Sequence, residues 1–77
     1  MKINTISKQI LVLKTSLASS FDVEKTGVFL DSHPQIVAWN IDLEDCDKVL
    51  RVECCGLSEA DIVVLLHLAG YEAEKLY

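Results

Sequence analysis

One stretch near the C-terminal end, Ser58 to Gly70 (SEADIVVLLHLAG), constrains this chain more than any other. Ser58-Glu59-Ala60-Asp61 has the spacing of an N-cap followed by an acid at N3, a relative of the Ser/Thr-x-x-Glu capping box. Gly70 stands where the left-handed residue that ends a helix belongs. The bracketed segment is predicted to be a helix of about eleven residues. Ile62, Leu65, Leu66 and Ala69 form one stripe of it, suited to packing on a sheet, while Val63, Val64 and Leu68 form a second, broken only by His67. A helix apolar on two sides needs cover on both, and a two-layer fold supplies it on one.

The rest of the chain supplies the other elements. Gln9 to Thr15 (QILVLKT) is a short aliphatic run and reads as a buried strand. Either Ile10/Val12 or Leu11/Leu13 faces the helices, and the other pair faces out. Ser19 or Ser20, with Asp22 and Glu24 in the first turn, starts a helix that runs to Ser32 before Pro34. Gly27 inside it costs about 1 kcal/mol relative to Ala. Gln35 to Leu43 alternates Trp39, Ile41 and Leu43 against Asn40 and Asp42, as a half-buried strand does. The polar turn Glu44–Asp47 leads to Lys48–Cys54, which alternates again to give a hairpin. Tyr71 to Tyr77 closes the chain as a final strand.

The predicted order is β-α-β-β-α-β. The fold class is α+β, a two-layer ferredoxin-like sandwich with an antiparallel four-stranded sheet and two helices on one face. At 77 residues there is room for one domain, residues 1–77, with 1–8 expected as a loose N-terminal extension. Apolar residues make up 51% of the chain, too many for a disordered linker.

Twelve acidic residues against seven basic ones give a formal charge of −5, the wrong sign for a surface that neutralises phosphates, so no nucleic-acid partner is expected. Ile10 to Leu13 is the only continuous apolar run before Lys14, too short for the core of a signal peptide, and nothing approaches the ~18 apolar residues of a membrane span. Three cysteines, Cys46, Cys54 and Cys55, cannot form a paired framework. A reducing, cytoplasmic setting is expected.

The segment Leu65–Glu74 (LLHLAGYEAE), with its Ala-Gly-Tyr, and Pro34-Gln35-Ile36 at the entry to the second strand resemble the heavy-metal-associated domain, the small module of copper chaperones and copper-transporting ATPases. The resemblance runs from about Gln9 to Tyr77 and implies the same fold. It also implies that soft metal would be held by a Met-x-Cys-x-x-Cys loop after the first strand. Counting back from Pro34 places Leu17 at the Met position, Ser19 at the first Cys and Asp22 at the second, so the loop has no thiolate and no metal or other cofactor is expected there.

In such a topology Ser19, Asp22, Asp45, Cys46, Asp47 and His67 gather loosely at one end, where Asp22, Cys46 and His67 are the candidate substitute ligands for a metal such as zinc. The plainer reading makes Cys46 and its acids a solvated turn and His67 a helix-surface residue. Cys54 and Cys55 fall at the opposite end, with His33 nearby, and strand alternation turns one thiol inward. No nucleophile–base pair or phosphate loop marks an enzyme. The expected function is a non-catalytic interaction module that has lost the soft-metal site and self-associates, through Val63, Val64 and Leu68 or through the open face of the sheet around Leu11, Leu13 and Val49; its partner is a second copy or another protein. The alternative is a metal-trafficking or metal-sensing protein with non-standard ligands. A small-molecule regulatory domain is a third reading, by fold analogy alone.

Overall fold

The computed structural model describes residues 8–76 and has the predicted order: β1 (Gln9–Thr15), α1 (Ser20–Asp31), β2 (Ile36–Asp42), β3 (Val49–Cys54), α2 (Glu59–Ala69) and β4 (Ala73–Lys75). Nearly all of the expected N-terminal extension lies outside the described residues. The sheet order is β2-β3-β1-β4 and every neighbouring pair is antiparallel, the ferredoxin-like arrangement.

Register decides which side of β1 faces the helices. Leu11 lies opposite Val52 and Leu13 opposite Leu50, and all four are buried. Leu17, Leu30, Ile62 and Leu66 complete the core from the loop and the helices. Ile10, at 53% exposure, therefore faces out with Val12, and Leu11 and Leu13 are core residues and not part of the open face.

Both helices start as the caps predict. Asp22 Oδ2 accepts from the Ser19 N–H at 3.1 Å while the Asp22 N–H donates to Ser19 Oγ at 3.3 Å, a reciprocal cap. At α2 the Asp61 carboxylate accepts from the Ser58 N–H at 2.8 Å, and Gly70 ends the helix at φ 98°.

Gly27 has a packing reason. A Cβ there would lie 2.8 Å from Cζ2 of Trp39, so the bare backbone of α1 is what lets the indole lie against it. Trp39 Nε1 also donates to Asp31 Oδ1 at 2.7 Å, fixing β2 to the end of the same helix. The neighbouring Thr26 is fully buried, and its hydroxyl has no hydrogen-bond partner among the described residues.

The final strand begins later than the predicted Tyr71 and its pairing ends at Lys75, while the predicted end at Tyr77 lies outside the described residues. The Tyr71 N–H donates to Leu66 O at 2.9 Å and closes α2, so ladder pairing with β1 begins only at Ala73, opposite Thr15. No helix among the described residues is long and apolar enough to cross a membrane.

Candidate functional site

Three segments meet at the exit of β1. The turn after β2 is tied to it by Thr15, whose N–H donates to Asp47 O at 3.1 Å and whose hydroxyl donates to Lys48 O at 2.6 Å. The segment after α2 is tied by Ser16, whose N–H donates to Glu72 O at 3.0 Å and whose Oγ accepts from the Glu72 N–H at 2.9 Å. The topology thus makes the shared end that the sequence predicts.

Leu17, at the position matched to Met, is fully buried in the core. Ser19 and Asp22, at the positions matched to cysteine, are both occupied. Asp22 Oδ2 accepts from the Ala18 and Ser19 N–H groups, and Asp22 Oδ1 accepts from the Tyr71 hydroxyl at 2.6 Å. The Tyr71 hydrogen bond, then that of Ala18, holds the Asp22 carboxyl below its ordinary range. The same bond pushes the Tyr71 phenol up. Lys25 Nζ lies 5.7 Å from the centre of the Tyr71 ring, within cation–π range. This loop is a hydroxyl and carboxylate clasp whose oxygens already accept hydrogen bonds, and it offers a soft ion no sulfur.

Asp22, Cys46 and His67 are not brought together. Among the described residues, the one group of three acidic, thiol or imidazole side chains with ligand atoms within 4.8 Å of one another is Asp45, Cys46 and Asp47, in the turn between β2 and β3. There Cys46 is exposed, and Asp45 Oδ1 already accepts from the Asp47 N–H at 2.7 Å. His67 is exposed on α2.

At the far end, Cys54 is buried opposite Gln9 while Cys55 is half-buried in the turn that follows. Burial, reinforced by Cys55, pushes the Cys54 thiol up, away from the reactive thiolate. Gln35 Nε2 donates to Cys55 O at 2.8 Å and the Gly56 N–H donates to Gln9 Oε1 at 3.0 Å, so the turn is held by glutamines.

On the helix layer, Val64 and Leu68 are 57% and 67% exposed, while Val63 is half-buried and packs against the core. The sequence reading missed the exposed Phe21 and Val28 of α1. A run of SFDVEKTGVFLD shows them only once it is known that Thr26, Gly27 and Leu30 are the buried positions.

No family model and no curated protein sequence matches this chain. Solved structures do. The apo heavy-metal-associated domain of a copper chaperone for superoxide dismutase superposes with a TM-score of 0.80 at 17% identity, covering 100% of this chain and 76% of that one. The copper(I)-loaded first domain of the human copper chaperone for SOD1 gives 0.78 at 17% identity, covering 91% and 94%. Oxidized MerP from Ralstonia metallidurans CH34 gives 0.74 at 12% identity, covering 92% and 100%. The fold is that of heavy-metal-associated domains, as the resemblance implies.

Proposed function

We propose that this chain is a non-catalytic interaction module on the heavy-metal-associated fold, in which the soft-metal loop has become a metal-independent clasp. The observation that supports this reading is Asp22. At a position matched to a thiolate stands a carboxylate that caps α1 and accepts the Tyr71 hydroxyl. Similar domains include one whose structure holds copper(I), and the resemblance implies thiolates at this loop where this chain has none. Three free thiols suit the reducing cytoplasm.

Self-association is the second part of the proposal. With Val63 packed inward, Val64 and Leu68 alone make an apolar surface on α2 too small to carry it, which leaves the sheet as the surface for association. The competing reading, metal handling by non-standard ligands, draws support from the Asp45–Cys46–Asp47 group.

Competition of the reduced protein against a chromophoric Cu(I) chelator, with zinc dialysis beside it, separates the two. The module reading expects no stoichiometric capture of either ion. Copper capture that survives Cys54→Ser and Cys55→Ser, or one equivalent of zinc lost in Cys46→Ala, would favour metal handling.

A further inference from the structure

The two edges of the sheet differ in how they are guarded. β4 is three residues long and carries Glu74 and Lys75, both devices that discourage pairing with another chain. β2 is seven residues long, has no proline or glycine, and carries its one charge, Asp42, at its last position. Its one irregularity is a register shift between Ile36 and Ala38, which leaves Val37 exposed at 59%. From Ala38 to Asp42 the strand pairs regularly with β3, and Ala38, Asn40 and Asp42 are exposed. The backbone groups on its outer side belong to a strand with no further sheet neighbour among the described residues.

Resting on the self-association reading above, we propose that the partner is a second copy, added antiparallel to Ala38–Asp42 of β2 across a twofold axis at Asn40. The charge pattern chooses this arrangement. Antiparallel pairing centred on Asn40 sets Asp42 of each copy against Ala38, whereas parallel in-register pairing sets Asp42 against Asp42. It also sets Trp39 opposite Ile41, an aromatic and β-branched cross-strand pair, on the side where both already pack against the core. The twofold keeps all four helices on one face, gives a continuous eight-stranded sheet, and avoids the irregular end at Val37.

Asn40 tests this directly, because any charge placed there meets itself only in the dimer. Light scattering with chromatography across concentrations should show wild-type protein passing from monomer to dimer. Asn40→Lys should raise the dissociation constant roughly tenfold or more, while Val64→Glu leaves it unchanged. Hydrogen exchange on the wild-type protein needs no variant: amides of residues 38–42 should gain protection as concentration rises, and those of β4 should not. A dimer that Val64→Glu dissociates and Asn40→Lys does not, or one formed without new protection in β2, overturns the edge assignment and leaves self-association standing. A wild-type monomer at every concentration overturns both.

Discussion

The Tyr71 hydroxyl reaches Asp22 Oδ1 at 2.6 Å across 49 positions of sequence, and so joins the second residue after α2 to the N3 carboxylate of the α1 capping box. With the Ser16–Glu72 pair of hydrogen bonds beside it, the β1–α1 loop is fixed by groups the chain itself supplies. Both Asp22 oxygens and Ser19 Oγ already accept hydrogen bonds there, so a metal drawing on them would compete with the cap.

If Ser19 and Asp22 do hold the two thiolate positions, sulfur at both should create the site that the natural residues deny. Ser19 Oγ lies 3.3 Å from the Asp22 backbone nitrogen, and both positions lie at a helix N-terminus, where thiolates are stabilised. The expected outcome is that Ser19→Cys with Asp22→Cys binds one equivalent of Cu(I) in chelator competition while wild type binds none. The double variant should also unfold more easily, because the cap is lost, by about 1 kcal/mol. Absence of copper binding in a folded double variant would show that the loop is in a different register from the one assigned.

The clasp also predicts a pH dependence. Asp22 ionises more readily in the folded chain than at its unfolded value of about 3.9, so its contribution is complete above that value and is lost as pH falls through the lowered folded pKa. Tyr71 has the opposite sign: its phenol is raised, so its contribution holds below about 10 and is lost as pH rises through the folded pKa. Denaturant unfolding between about pH 2 and 5 should show wild-type stability falling with acid and Tyr71→Phe falling less steeply, since the leading cause of the Asp22 shift is gone. Equal slopes for both proteins would mean that the hydrogen bond is not formed in solution.

How much of this was legible follows from how local each signal is. Caps are local, so Ser58, Asp61 and Gly70 marked the ends of α2, and the start of α1 was narrowed to Ser19 or Ser20, of which Ser19 is the cap. Strand alternation placed Trp39, Ile41, Leu50 and Val52 toward the core. β1 carried no such information, because Ile10, Leu11, Val12 and Leu13 are all aliphatic and only the register with β3 decides between them. The outer stripe of α2 was half legible: Val64 and Leu68 are exposed, but the core draws Val63 in. Nothing local could pair Tyr71 with Asp22. Nor could it show that β4 starts late because the Tyr71 amide is spent on closing α2.

The three thiols should react in an order set by burial. Cys46 lies exposed in the hairpin turn, Cys55 is half-buried, and Cys54 is buried with its thiol pushed up. A maleimide time course on native, reduced protein, read by peptide mass spectrometry, should label Cys46 first, Cys55 more slowly and Cys54 only with unfolding. Labelling of Cys54 as fast as Cys55 would place the end of β3 before Cys54.

Gly27 offers a test in which local propensity and packing have opposite signs. In a helix interior, Gly→Ala should stabilise by about 1 kcal/mol. Here the new methyl would lie 2.8 Å from Cζ2 and 3.1 Å from Cη2 of Trp39, so the indole must move. Its Nε1 bond to Asp31 resists that movement, and the expected cost of overpacking is about 1–3 kcal/mol, enough to cancel or exceed the propensity gain. Gly27→Ala should therefore give no stabilisation in urea unfolding and should shift the fluorescence of Trp39, the chain's one tryptophan. Pairing it with Trp39→Phe, which shortens the side chain at the contact, should restore part of the propensity gain, measured as a non-additive double-mutant cycle. A gain near 1 kcal/mol in the single variant, with unchanged fluorescence, would mean that the indole does not rest on α1.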